Sequence, residues 1–140
     1  MNLSGKTIAV TGATGFLGTY IALELLSRGA TVRGVVRSPN KGSWLKDKGV
    51  IFAKADLMDQ AALHEAFVGV DAIISNAALF TMKKASWDDF YLPNKIGTEN
   101  VFNSAKKAGV NRLVQVSSVA VYRRRIPRNL TEDTPRLTEQ

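Results

Sequence analysis

Residues 6–18 read KTIAVTGATGFLG, and this stretch decides the fold. Its first half is a short apolar, β-branched run, which is typical of a buried strand. Its second half places Gly12, Gly15 and Gly18 three residues apart and leads into a helical pattern over residues 16–28. A strand, a glycine-rich turn and a helix in direct succession predict the first βαβ unit of an open parallel sheet.

Each glycine of this turn has a physical task. Gly12 permits the tight turn off the strand, Gly15 lets a phosphate approach the backbone, and Gly18 lets the helix pack close to the sheet. The N–H groups of Phe16 and Leu17 then face a pyrophosphate at the positive end of the helix dipole. A plain tight turn is the alternative, but the strand before it and the helix after it favour phosphate binding. The predicted cofactor-binding residues of this segment are Thr11, Gly12, Thr14, Gly15, Phe16, Leu17 and Gly18.

The rest of the chain alternates short apolar runs with helical patterns. This alternation predicts a doubly wound parallel sheet (a Rossmann fold) of about five strands in the order 3-2-1-4-5. In such a sheet, ligands bind where the strand order reverses, between strands 1 and 4. Pro93 interrupts the last helical pattern, so we expect a kink or two segments there. Strands are predicted over residues 6–11, 31–36, 50–55, 71–75 and 113–116, and helices over 16–28, 43–48, 60–67 (capped by Asp59) and 87–108.

The composition indicates one globular domain. The chain has 140 residues, of which 45% are hydrophobic and 22% charged, enough to form a packed core. We expect residues 1–121 to form the nucleotide-binding domain, and residues 122–140 to form a polar, mobile tail leading into the rest of a longer parent. No apolar run approaches the roughly 18 residues of a membrane span, and the amino terminus does not have the pattern of a signal peptide. A cytoplasmic location without a membrane partner is therefore expected.

The counts of Cys, His and charged residues limit the kinds of site and partner that the chain can have. The chain has no Cys and one His, His64, which excludes disulfides and thiolate nucleophiles and disfavours a metal site. The net charge of +7 raises the question of nucleic acid, above all through the arginine-rich residues 123–128. Because most of the excess charge lies in the first third of the chain, and Glu132 and Asp133 follow this run, we interpret it as a solvated loop and expect no nucleic-acid partner.

Arg37 at the end of the second strand bears on the choice of cofactor. NAD-preferring folds place an Asp or Glu there to bind the ribose 2′-hydroxyl, about 20 residues after the glycine turn. No acid lies between Glu24 and Asp47, whereas Arg37 occupies this place with Arg33 and Lys41 nearby. A guanidinium fork suits a 2′-phosphate, so we expect NADP(H) to be favoured over NAD(H). A solvated surface arginine is the alternative.

Two further strand ends carry candidate cofactor-binding residues. Asp56 and Leu57 follow the third strand, where the carboxylate could accept from an adenine amino group or else cap a turn. Both interpretations of Asp56 stay open at this point. Asn76, Ala77 and Ala78 end the fourth strand at the predicted switch point, and their small size leaves room for ribose and diphosphate.

Taken together, these segments resemble the extended short-chain dehydrogenase/reductase family, also called the NAD-dependent epimerase/dehydratase family. Residues 32–39, VRGVVRSP, are similar to its NADP-preferring, dihydroflavonol-reductase-like branch, in which the arginine matching Arg37 contacts the 2′-phosphate. The matching motifs, in the family's order, are Thr11-Gly12-x-x-Gly15-x-x-Gly18, Asp56-Leu57, Asn76-Ala77-Ala78, Asn94-x-x-Gly97-Thr98-x-Asn100 and Ser117-Ser118-x-Ala120-Val121-Tyr122.

The resemblance implies two catalytic-site residues. Ser118 matches the hydroxyl that hydrogen-bonds the substrate oxygen, although a turn serine is the alternative, and Ser117 is interpreted as structural. Asn94 matches the helix residue that supports the catalytic lysine region through its backbone. The implied reaction of the parent is hydride transfer between a nicotinamide and a carbonyl or alcohol carbon of a small-molecule substrate. The resemblance also implies a homodimer in the full-length parent.

One departure from the family bears on activity. The family's general acid is the Tyr of Tyr-x-x-x-Lys, but the residue four after Tyr122 is Ile126, and no Lys follows Lys107. Loss of a positioned general acid costs typically ~10²–10⁴-fold in rate. We therefore expect this chain to bind nucleotide and to turn over little or nothing.

A non-catalytic NAD(P)-binding redox sensor or regulatory module is the alternative function. Such a protein would keep the glycine turn and the basic end of the second strand. It has no chemical need for the Asn94 and Ser118 motifs, so their presence favours an enzyme as the parent.

Overall fold

The computed structural model describes residues 2–80, 84, 86–122 and 130–134. Within these residues, a five-stranded parallel sheet has the order β3-β2-β1-β4-β5, which confirms the predicted doubly wound topology. The order reverses at β1, between β2 on one side and β4 on the other. The strands are β1 (Thr7–Thr11), β2 (Thr31–Val36), β3 (Ile51–Lys54), β4 (Ala72–Ser75) and β5 (Leu113–Gln115).

The helices lie between the strands, as the alternation predicts. A 3₁₀ turn over Pro39–Gly42, absent from the sequence prediction, precedes the short second helix. Asp59 caps the third helix, since its side chain accepts from the Ala62 N–H. The helices are α1 (Phe16–Ser27), α2 (Ser43–Asp47), α3 (Gln60–Phe67), α4 (Trp87–Tyr91) and α5 (Gly97–Lys107).

The segment predicted as one helix over residues 87–108 divides into three parts. A π-helical turn, Leu92–Ile96, separates α4 from α5 and contains Pro93. Proline has no N–H to donate to the preceding turn, which weakens an α-helix at that point. The Gly97 N–H donates to Leu92 O, five residues back, and so closes the wider turn. This confirms the expected interruption at Pro93.

The register of the sheet places the carboxyl ends of the strands along one edge. Thr11 at the end of β1 pairs with Val35, and Val10 pairs with Ile74 of β4. Because parallel neighbours end at the same edge, the segments that follow β1, β2, β3 and β4 meet there.

Two apolar layers cover the faces of the sheet. On one face, Leu25 of α1 and Leu45 of α2 pack with Val10 and Val32. On the other face, Leu63 and Phe67 of α3 and Val101 of α5 pack with Ile73 of β4. Helices therefore cover both faces of the central strands, as a parallel sheet requires.

Parts of the predicted tail lie outside the described residues. Of residues 122–140, the structure describes 122 and 130–134, so the arginines at 123, 124, 125 and 128 lie outside it. Across the described part of the chain, no helix combines the length and the apolar character needed to cross a bilayer. The same residues contain no group of three His, Cys, Asp or Glu side chains that could hold a metal ion.

Candidate functional site

A groove of about 1140 Å³ lies at the carboxyl edge of the sheet. Its volume exceeds the roughly 300–1,000 Å³ typical of small-molecule sites, which suits an extended ligand. It brings together twelve of the residues singled out in the sequence: Gly12, Thr14, Gly15, Phe16, Leu17, Arg37, Lys41, Asp56, Leu57, Asn76, Ala77 and Ala78.

The glycine turn forms one wall of this groove. Gly12 has a φ of 68°, and a Cβ there would lie 3.0 Å from Ala77 Cα, so the turn packs directly on the end of β4. The Gly15 N–H donates to Gly12 O at 2.9 Å and closes the turn. Gly15 also precedes α1 without a side-chain capping bond, and the first turn of α1 contains no acidic residue. This cradle, with the amino end of a 12-residue helix behind it, fits a phosphate group.

Gly18 packs behind the glycine turn and does not line the groove. A Cβ at Gly18 would overlap Gly12 O and lie 2.9 Å from Asn76 Nδ2. The absence of a side chain is therefore what lets α1 sit this close to the sheet, in the role that the sequence pattern indicates.

Thr11 lies behind the groove rather than in its wall, and its contact with a cofactor stays a prediction. Its side chain is 1% exposed, and its Oγ1 accepts from the N–H groups of Asn76 and Ala77, both at 3.0 Å. These bonds tie the end of β1 to the end of β4. Thr11 thus positions two groove-lining residues.

Arg37 and Lys41 lie at the basic end of the groove. Arg37 directly follows β2, and Lys41 belongs to the Pro39–Gly42 turn. Both residues are exposed and line the groove, as does Ser38 between them. Two cationic side chains are thereby available to an anionic group at this end.

Arg33, which lies near Arg37 in the sequence, does not line the groove. Its Nη1 donates to Ala66 O at 2.9 Å and to Val68 O at 2.7 Å, at the carboxyl end of α3. The last carbonyls of a helix have no intrahelical partner, so a cation within β2 is drawn to them. Arg33 therefore stabilises the packing of α3.

Asp56 takes part in a turn and also lines the groove. Its Oδ1 accepts from the Met58 N–H at 2.9 Å, which supports the turn interpretation. Contact with adenine stays a prediction. Leu57, beside it, is held by α5: the Asn100 amide donates to Leu57 O at 2.9 Å, and a Cβ at Gly97 would lie 2.9 Å from Leu57 Cβ.

The side chain of Asn94 hydrogen-bonds the backbone of the loop that follows β4. Its Oδ1 accepts from the Leu79 N–H at 2.6 Å, and its Nδ2 donates to Leu79 O at 3.0 Å. Its own carbonyl accepts from Thr98 Oγ1 at 2.7 Å. The Asn94 side chain does not line the groove, and its part in catalysis stays a prediction.

Ser118 lies next to β5 and outside the groove. It lines a separate cavity of about 430 Å³ with Ser117, Val119 and Tyr122, among others. The Val121 N–H donates to Ser118 O at 3.2 Å, which forms a short turn. The structure therefore does not gather Ser118 with the predicted cofactor-binding residues, and its hydroxyl's contact with a substrate stays a prediction.

The sequence patterns did not predict the wall of the groove that α4 and the π-helical turn form. It contributes Asp88, Asp89, Leu92 and Pro93 to the groove. A capping box starts α4: Ser86 N donates to Asp89 Oδ2 at 2.7 Å, and Asp89 N donates to Ser86 Oγ at 3.2 Å. The hydrogen bonds from Ser86 hold the pKa of Asp89 below its usual range. The spacing Ser-x-x-Asp signals such a helix start, and could have located this wall.

Comparison with known proteins agrees with this architecture. A sequence model of the NAD dependent epimerase/dehydratase family matches residues 8–139. Cinnamoyl-CoA reductase 1 of Petunia hybrida is 36% identical over 143 aligned residues, covering 95% of this chain and 42% of the reductase. A putative dihydroflavonol 4-reductase of Synechocystis is 34% identical, covering 79% of this chain and 32% of that protein.

Solved structures show the same fold. A short-chain dehydrogenase/reductase superfamily protein from Agrobacterium tumefaciens, solved with bound NAD, superposes with a TM-score of 0.78 at 32% identity, covering 96% of this chain and 40% of that one. UDP-glucose 4-epimerase from Bifidobacterium longum, in complex with NAD⁺ and UDP, gives 0.82 at 27% identity, covering 94% and 42%. This chain thus spans less than half the length of these relatives. It belongs to the NAD dependent epimerase/dehydratase family.

Proposed function

We propose that this chain is the NADP(H)-binding portion of an oxidoreductase or epimerase/dehydratase acting on a small-molecule carbonyl or alcohol. The observation that carries the proposal is the groove at the switch point, which joins the glycine turn, the amino end of α1 and Arg37. The reductases of petunia and Synechocystis support a reductase as the parent. An NADPH-dependent quinone oxidoreductase from Escherichia coli, solved with NADPH, has a TM-score of 0.63 at 32% identity, covering 77% of this chain and 35% of that one.

Each wall of the groove is proposed to bind a different part of the cofactor. The turn from Gly12 to Gly15 and the first N–H groups of α1 hold the pyrophosphate, since both line the groove and the amino end of a helix favours an anion. Arg37 and Lys41 hold the 2′-phosphate at the basic end. Asp56 and Leu57 would contact the adenine, and Asn76, Ala77 and Ala78 would contact the ribose and diphosphate.

Catalysis in the parent needs groups from beyond the groove. The nicotinamide supplies the hydride chemistry when the cofactor is bound. Ser118 orients the substrate oxygen from the neighbouring carboxyl end of β5, and Asn94 fixes the loop that borders the groove through Leu79.

Cofactor titration of Arg37→Ala tests the proposal. We expect the NADPH dissociation constant to rise about 10–100-fold, because hydrogen bonds to a charged group are lost, and the NADH constant to change little. Arg112→Ala is the matched control, since Arg112 is an exposed arginine that precedes β5 at the opposite edge of the sheet. Equal binding of NADPH and NADH by the unaltered chain would refute the NADP(H) preference. No binding of either would refute the proposal as a whole.

A non-catalytic NAD(P)-binding module is the second candidate. The position of Ser118 outside the groove favours it. Ser118→Ala in the full-length parent separates the two candidates, because an enzyme loses kcat whereas a binding module keeps its cofactor affinity.

A further inference from the structure

The turn that carries Lys41 is packed against the glycine turn through Gly42. Gly42 is buried, and a Cβ built on it would overlap Thr14 Cγ2 and lie 3.0 Å from Phe52 Cζ. Thr14 belongs to the wall that faces the pyrophosphate, whereas Lys41 belongs to the basic end of the groove. Gly42 is therefore the contact point between two parts of the groove with different proposed ligands.

Gly42 is needed for space rather than for conformation. Its φ of −128° and ψ of 28° are accessible to residues other than glycine. What a side chain would meet is the methyl group of Thr14 on one side and the ring of Phe52 on the other. Any larger residue must displace one of its neighbours, because protein interiors are close-packed.

The segment around Gly42 has little freedom to absorb that displacement. Leu45, three residues on, is 0% exposed and belongs to the core beneath α1 and β2. On the other side, the Lys41 N–H donates to Ser38 O at 3.2 Å, which closes the turn that carries Lys41. A Cβ at position 42 either rotates the Thr14 side chain, which alters the wall of the groove, or pushes the Pro39–Gly42 turn outward, which moves Lys41 away from the glycine turn.

We infer that Gly42 is a specificity-determining residue: its close contact with Thr14 sets the spacing between the pyrophosphate-binding turn and the basic end of the groove. The inference rests on the proposed function. A ligand anchored at both places, such as NADPH, depends on this spacing. NADH carries a hydroxyl in place of the 2′-phosphate, so its binding depends on the spacing far less.

The test is a double-mutant cycle between positions 42 and 14, with NADPH and NADH titrated against each variant. Gly42→Ala is expected to raise the NADPH dissociation constant about tenfold, which corresponds to roughly one charge-assisted hydrogen bond, and the NADH constant about twofold at most. Thr14→Ser removes the methyl group that the new Cβ would overlap. The effect of Thr14→Ser alone on each dissociation constant is subtracted from that of the double variant. After this correction, the double variant is expected to recover most of the NADPH-over-NADH preference that Gly42→Ala loses.

Gly34→Ala is the matched control. A Cβ at Gly34 would lie 2.8 Å from the same Phe52 ring, but Gly34 lies within β2, and the nearest atoms to its Cβ belong to Phe52 and Val50 rather than to Thr14. Its melting temperature is expected to fall while its NADPH-to-NADH preference stays at the value of the unaltered chain. The inference is overturned if Gly42→Ala weakens both cofactors equally, if it keeps the preference, or if Thr14→Ser fails to restore it. Equal binding of both cofactors by the unaltered chain would instead refute the underlying preference.

Discussion

The side chain of Asn94 pairs with the backbone of Leu79 through two hydrogen bonds, one at 2.6 Å to the N–H and one at 3.0 Å to the carbonyl. Fifteen residues separate the two positions in the chain, and the pairing joins the π-helical turn to the loop that follows β4. Ala77, Ala78, Leu79 and Phe80 of that loop all line the groove. The shape of this wall therefore depends on an amide that does not itself reach the groove.

Asn94→Ala should destabilise the chain and loosen this wall. The substitution leaves the partly buried Leu79 N–H and carbonyl without their amide partners, at a cost of about 1–3 kcal/mol in the free energy of unfolding. Urea unfolding measures this cost, and cofactor titration should show weaker binding of NADPH and NADH alike. Asn103→Ala, which changes an exposed asparagine of α5, is the control and should change neither quantity. Unchanged stability of Asn94→Ala would show that the pairing contributes nothing.

A second polar cluster fixes the segment after β3. Asn100 is 6% exposed and donates to Leu57 O at 2.9 Å, while its Oδ1 accepts from Gln60 Nε2 at 2.7 Å. Asn100→Ala should cost about 1–3 kcal/mol in the free energy of unfolding, because buried polar partners are left unsatisfied. Ser104→Ala breaks the longer 3.2 Å bond to Gln60 O and should cost less. A larger loss of unfolding free energy for Ser104→Ala than for Asn100→Ala would contradict the central role of Asn100 in this cluster.

The strands were predictable because their signal is local. Each predicted strand lies within two residues of its observed ends, since a strand of a parallel sheet appears in the sequence as a short, mostly apolar run. The common position of the candidate cofactor residues was predictable for a related reason: Gly12, Arg37, Asp56 and Asn76 each follow a strand, and parallel strands end at one edge.

The partners of individual side chains were not predictable in this way. Arg33 lies in β2, yet its guanidinium donates to two carbonyls at the end of α3, more than thirty residues away in the sequence. Thr11 faces the end of β4 instead of the groove for the same reason, because its partners are set by how the strands pair. The wall formed by α4 differs, because the Ser86–Asp89 capping box gives its start a local sequence signal.

The acid stability of the fold should depend on Asp71. Hydrogen bonds from Lys6 and from the Thr7 N–H hold the pKa of Asp71 below its usual range. A lowered pKa in the folded state means that the stabilisation is fully present above the unfolded value, about 3.9, and is lost as the pH falls through the folded value. Melting temperatures recorded from pH 6 down to about 2 should therefore fall less steeply for Asp71→Asn than for the unaltered chain. Identical slopes for Asp71→Asn and the unaltered chain would contradict the role of Asp71.

The chain of 140 residues should bind NADPH without oxidising it. Tyr122 is followed four residues later by Ile126, and no lysine follows Lys107, so the Tyr-x-x-x-Lys pair of the family is absent from this sequence. Without a positioned general acid, the rate of a carbonyl reduction falls by roughly 10²–10⁴-fold. Loss of NADPH absorbance with a panel of aldehydes and ketones measures turnover, and NADPH titration of the same sample shows that the groove is intact. Robust turnover would mean that another residue of this chain donates the proton. Tyr122 is then the first candidate, since it lines the same cavity as Ser118, and Tyr122→Phe would abolish the activity.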